Sequence, residues 1–135
     1  MSFTAALLAI NPWAVLVAGI VHMVTGLLWF MPKAFGTAWV ALTGKEFKPA
    51  TQWIPAGIIG HILIALVLAV IVNLANATTA VGGLLVGVMV WIGFVVTLET
   101  GELIWEKIPT RLFLIRIGNH LVALGLAGII LAIWQ

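Results

Sequence analysis

Few side chains in this sequence could do chemistry. His22, His61 and His120 are its three histidines, and Glu99, Glu102 and Glu106 are three of its four acidic residues. An imidazole ring nitrogen can take a proton, a metal ion or a tetrapyrrole iron. Three imidazoles and Glu99, drawn from separate segments, would therefore suit a metal, a haem or a pigment magnesium. No Glu-x-x-His or other pair that includes a histidine ligand one turn from a second ligand occurs within a segment. The competing expectation is a polar network without a cofactor, in which the histidines fix the register of packed helices. Glu99, Glu102 and Glu106 recur at three- and four-residue spacing and share one helix face, with Arg116 and Asn119 beyond the turn at Pro109. Pairing Glu99 or Glu102 with Arg116 would remove two unpaired charges from an apolar surrounding at once. The alternative is a carboxylate cluster serving a cation or a proton in a minimal transporter.

The elements that must position these groups follow from composition. Of 135 residues, 64% are hydrophobic and 7% charged, against roughly a quarter charged in a soluble domain. There is too little polar surface to cover a water-soluble globule, and too little charge for a disordered tail or a nucleic-acid binder. The chain has no cysteine, hence no disulfide and no thiolate site. It also lacks a Ser/His/Asp set, a P-loop and a dinucleotide fingerprint, so no enzyme activity is expected. What fits is an all-α integral membrane protein. A span needs about 20 apolar residues, and four segments qualify in a single domain: about 12–31, 53–73, 80–98 and 110–134, the third continuing as a helix towards Lys107. Short connections predict an up-down four-helix bundle.

Punctuation agrees with these limits. Asn11-Pro12 sets a capping side chain before a proline at the first turn. Pro32 ends the first span, Pro49 and Pro55 bracket the start of the second, and Pro109 separates the third from the fourth. Trp13, Trp29, Trp53, Trp105 and Trp134 lie near span ends, as an interfacial belt would. Between Lys33 and Lys48, the spacing of Phe35, Trp39 and Leu42 predicts a short interfacial helix between the first two spans. All six cations fall in loops one and three or just beyond them. The positive-inside rule then predicts cytoplasmic loops one and three and both termini outside. The first ten residues carry no basic segment or cleavage signal, so the first span is expected to serve as its own insertion signal.

Counted from that basic end, His22, His61, His120 and Glu99 lie at similar depth, roughly 12–15 Å in at ~1.5 Å per residue. Small residues mark the expected helix contacts: Gly19 and Gly26 beside His22, Gly83 and Gly87 on the third span, and Gly118, Gly125 and Gly128 on the fourth. Association in lipid relies on such close backbone approach. The number of these faces predicts a homo-oligomer or a place in a larger membrane complex, and hence a structural or accessory role.

Several stretches together resemble one family. They are Asn11-Pro12-Trp13-Ala14-Val15-Leu16-Val17-Ala18, Gly26-Leu27-Leu28-Trp29-Phe30-Met31-Pro32 and Phe35-Gly36-Thr37-Ala38-Trp39. Later come Trp105-Glu106, Leu112-Phe113-Leu114-Ile115, Gly118, His120-Leu121-Val122, Gly128 and Trp134. The pattern is similar to the bacterial membrane family called domain of unknown function seventeen-sixty-one. The resemblance implies a four-span protein of the bacterial inner membrane, with no assigned activity, cofactor or substrate. Trp29, Pro32, Phe35, Gly36, Trp39, Glu106 and His120 match the family pattern. Arg116 departs from it, since the family more often carries Asn there, and His22 and His61 lie outside it. A three-histidine site would then be peculiar to this chain.

Overall fold

A computed structural model describes residues 1–135. Its elements are all helical: α1 (Phe3–Leu8), α2 (Pro12–Trp29), α3 (Thr37–Thr43), α4 (Ile54–Leu74), α5 (Ala80–Val90), α6 (Thr97–Ile104) and α7 (Thr110–Ile133). Four segments are long and apolar enough to cross a membrane: Pro12–Trp29, Thr51–Leu74, Ala80–Ile104 and Thr110–Ile133. The expected spans are therefore present, the third being built from α5 and α6. Between those halves, Trp91–Val96 forms a wider helical turn with bonds reaching one residue further. Such a turn re-aims the side chains that follow it.

The caps form as the sequence dictates. Asn11 Oδ1 accepts from the backbone N–H groups of Trp13 and Ala14, and Thr79 Oγ1 accepts from that of Gly82. One helix, α1, was not expected. Ser2 caps it, and its fully buried Ala6 receives a hydrogen bond at 3.0 Å from the buried Asn73 side chain of α4. At the same end of the bundle Gln135 Nε2 donates to the Ala77 carbonyl at 2.9 Å. The short helix between the first two spans exists, but it begins at Thr37, so Phe35 lies in the turn before it. That turn requires Gly36, because a Cβ there would overlap the Phe30 carbonyl.

α7 is the axis of the bundle. Half of its membrane-length segment is buried, against 28%, 17% and 17% for the first three spans. Glycines bring its neighbours close: a Cβ on Gly83 would overlap the Gly128 carbonyl, and one on Gly87 the Leu124 carbonyl. On the other side, a Cβ on Gly19 of α2 would stand 2.6 Å from Ile62 Cδ1 of α4. Gly125 faces Leu84, Gly118 faces the Trp29 ring, and Gly26 sits more loosely beside Asn119. All seven glycines expected at helix contacts thus meet partners within the chain. The half of the bundle nearest the termini is closed by an apolar core that includes Ala14, Val15, Ala65, Leu68, Val72, Val86 and Leu131. By contrast, α4 touches α5 sparingly and α6 packs chiefly on α7, leaving a seam between the second and third spans.

Candidate functional site

The small-residue face of α2 carries His22 into the bundle, where it is 2% exposed. His22 Nδ1 lies 2.8 Å from His61 Nδ1 of α4. The His120 ring, from α7, is centred 6.2 Å from that of His22. Three helices thus deliver one histidine each to a single layer. His61 and His120 remain only half-buried, so the layer is reached from the side, with His22 behind them. A hydrogen bond between two Nδ1 atoms requires one to carry the proton and the other a lone pair. The pair therefore presents one Nε2–H donor and one Nε2 acceptor to its surroundings, whichever ring holds which tautomer.

Towards the basic end, Arg116 of α7 reaches the third span. Its Nη1 donates to Glu102 Oε2 at 3.2 Å and pairs with Glu99 Oε2 at 3.7 Å, beyond hydrogen-bond length. The expected ion pair is present, with both carboxylates sharing one guanidinium. Glu106 does not join it. α6 ends at Ile104, and Glu106 lies beyond that end, exposed. Asn119 is buried beside Gly26 rather than bonded to the ion pair.

Three buried polar atoms of this region have no hydrogen-bond partner in the protein: His22 Nε2, Glu99 Oε2 and Asn119 Oδ1. Leaving such a group unsatisfied costs about 1–3 kcal/mol, and buried orphans number only a few in a whole domain. Here they are concentrated in one part of a small bundle. No three or more His, Asp or Glu side chains converge in metal-ligand geometry.

Two tryptophans tie the third and first spans to α7. Trp91 Nε1 donates to the Ile117 carbonyl at 2.7 Å, and Trp29 Nε1 to that of Ile115 at 3.0 Å. Trp29 is therefore a bundle contact rather than part of an interfacial belt, and its ring stacks on Phe35 with centroids 4.5 Å apart. Trp13, Trp53, Trp105 and Trp134 are exposed, as a belt requires. Sequence reasoning passed over Trp91. Its mid-span position was the available signal, since an indole N–H buried in lipid needs an acceptor.

A family model described as a protein of unknown function, DUF1761, matches residues 13–132, a stretch that runs through all four spans and the whole polar layer. No curated protein and no solved structure matches the chain. With nearly its entire length inside that match, the chain belongs to the DUF1761 family.

Proposed function

We propose that this protein is a non-enzymatic membrane protein that binds a small organic ligand at the histidine layer, halfway into the bundle. The observation that carries the reading is the fully buried His22 Nε2, left without a partner while Nδ1 of the same ring is engaged by His61. Unsatisfied Asn119 Oδ1 nearby and the half-buried His120 extend the same layer. Polar groups lead to it from the basic end through Arg116, Glu99 and Glu102, whereas the opposite half of the core is apolar. That one-sided arrangement suits a binding site better than a path conducting protons across the bilayer.

An accessory role in a larger complex is compatible with this reading, but its original support has moved. The glycine faces that suggested an oligomer are occupied inside the chain. A metal ion fits less well than an organic ligand, because no third His, Asp or Glu ligand converges with the His22 and His61 rings. The cation distribution supports placing loops one and three in the cytoplasm of a bacterium, with the spans in its inner membrane.

The test is extraction in mild detergent, followed by native mass spectrometry, an absorption spectrum and metal analysis of the same sample. The expected result is an organic adduct on the wild type that is lost from His22→Ala and His61→Ala proteins that still fold. Absence of any adduct from freshly extracted wild type, or its retention by both variants, overturns the reading.

A further inference from the structure

At the basic end of the bundle, away from the histidine layer, the first and fourth spans part around a groove of about 370 Å³. It is formed by Trp29, Phe35, Arg111, Leu114, Ile115 and Gly118. One wall is fixed in place: the Trp29 indole donates to the Ile115 carbonyl at 3.0 Å, and the Phe35 ring stacks on it. Gly118 forms the inner limit, where a Cβ would stand 3.0 Å from the Trp29 ring. Phe35 and Leu114 are exposed, so the groove opens sideways, toward lipid. Arg111, the second residue of α7, stands at its mouth. Seven residues separate Arg111 from Gly118, about 10 Å at ~1.5 Å per residue. The groove therefore runs from the membrane interface into the hydrocarbon.

The guanidinium at that mouth is uncommitted. Both ion pairs of the protein belong to Arg116, and so does its one guanidinium hydrogen bond, to Glu102. Arginine's planar fork of donors suits a phosphate, which it can bind through two parallel bonds. Exposed Lys33, two residues before Phe35, and exposed Lys107, four before Arg111, outnumber exposed Glu106 at this end. That balance favours a headgroup of net negative charge over a zwitterionic one.

We infer that this groove binds an anionic phospholipid. Its phosphate sits on Arg111, and the start of one acyl chain lies between the Trp29–Phe35 wall and Leu114. A single cavity thus meets both parts of the ligand. A free phosphate would leave the apolar walls uncovered, and an uncharged lipid would leave Arg111 without a partner. Because Phe35 belongs to the turn Pro32–Gly36, the bound lipid also clamps that turn, and α3 behind it, to α7. The site is independent of the histidine layer and of any ligand bound there.

The experiment uses the full chain in phosphatidylcholine nanodiscs containing phosphatidylglycerol with a photoactivatable diazirine near the head of one acyl chain. Cross-links are mapped by peptide mass spectrometry. The inference predicts labelling concentrated on residues 29–35 and 111–118, suppressed by excess unlabelled phosphatidylglycerol but not by further phosphatidylcholine. Labelling falls about tenfold in Arg111→Gln, the effect of one charge-assisted hydrogen bond, and stays unchanged in Lys45→Gln, which removes the same charge away from the groove. Leu114→Trp, which fills the groove from an exposed position, lowers labelling without moving the thermal transition in phosphatidylcholine. Phosphatidylglycerol raises the thermal midpoint of the wild type, as a ligand of the folded state does, and not that of Arg111→Gln. Labelling spread evenly over the lipid-facing surface overturns the inference, as does suppression by phosphatidylcholine to the same extent. Equal losses in Arg111→Gln and Lys45→Gln overturn it too, since they reduce the effect to general surface charge. So does a dimer whose formation shields residues 29–35 and 111–118 from the probe, which makes a second copy the occupant.

Discussion

His22 and His61 meet nitrogen to nitrogen, with 2.8 Å between their Nδ1 atoms. This contact divides the rings into one donor and one acceptor. Nitrogen-15 NMR of histidine-labelled protein should find opposite tautomers, one ring protonated at Nδ1 and the other at Nε2. Two rings with the same tautomer would contradict the hydrogen bond. His61→Ala should convert the His22 spectrum to a mixture, because nothing then holds its Nδ1.

The ion pair makes a charge-balance prediction. Arg116 serves both Glu99 and Glu102 from a half-buried position. Arg116→Met leaves two acidic groups against lipid without a cation and should destabilise the bundle by about 1–3 kcal/mol, less than a fully buried pair because these groups are partly exposed. Adding Glu99→Gln and Glu102→Gln to that variant should restore most of the loss. Thermal unfolding in detergent reads both steps. A triple variant no more stable than Arg116→Met would contradict the pairing.

Glycine positions should divide sharply. Gly83 and Gly128 interlock with no room for a Cβ, whereas Gly57 and Gly101 face open space. Overpacking typically costs about 1–3 kcal/mol, so Gly83→Ala and Gly128→Ala should lower the thermal midpoint. Gly57→Ala and Gly101→Ala should be neutral or raise it slightly, since alanine favours helix by about 1 kcal/mol over glycine. Equal effects at all four positions would refute the packing described.

How far these features were legible in the sequence depended on the range of the forces behind them. The four spans, the Asn11 cap and the pairing of Arg116 with Glu99 and Glu102 are dictated by hydropathy, local hydrogen bonds and the expense of an unpaired charge. Those rules act along a helix or across one hairpin. Depth along each span likewise placed the three histidines in one layer. Rotation about each helix axis is not local, so the sequence left open whether His22 meets His61. Similarly, α1 is fixed by Asn73, 67 residues away from Ala6, and the wide turn at Trp91–Val96 carries no proline to announce it. The glycine faces were read correctly as contacts, while their partners, all within the chain, became clear only from the packing.

The indole contacts test the role of α7 as axis. Trp91→Phe removes the bond to the Ile117 carbonyl and keeps most of the ring. A net loss of about 0.5–1.5 kcal/mol is expected, and a similar loss for Trp29→Phe at Ile115. An unchanged thermal midpoint in both variants would show that these N–H groups find equivalent partners elsewhere.

Orientation can be read directly because the chain has no cysteine. A Lys45→Cys protein should react with a membrane-impermeant maleimide in inverted vesicles but not in intact cells. A Thr78→Cys protein should do the reverse. The opposite pattern would overturn the cytoplasmic placement of loops one and three.

The most direct test of the central claim replaces His22, His61 and His120 together by leucine and compares thermal stability with that of the ligand-free wild type. If the layer exists to bind a ligand, exchanging the buried, partly unsatisfied His22 and its two half-buried neighbours for apolar side chains of similar size should leave the bundle as stable or more stable, with adduct binding abolished. If instead the variant loses several kcal/mol or fails to fold, the histidines are holding the helices in register and the binding account is wrong.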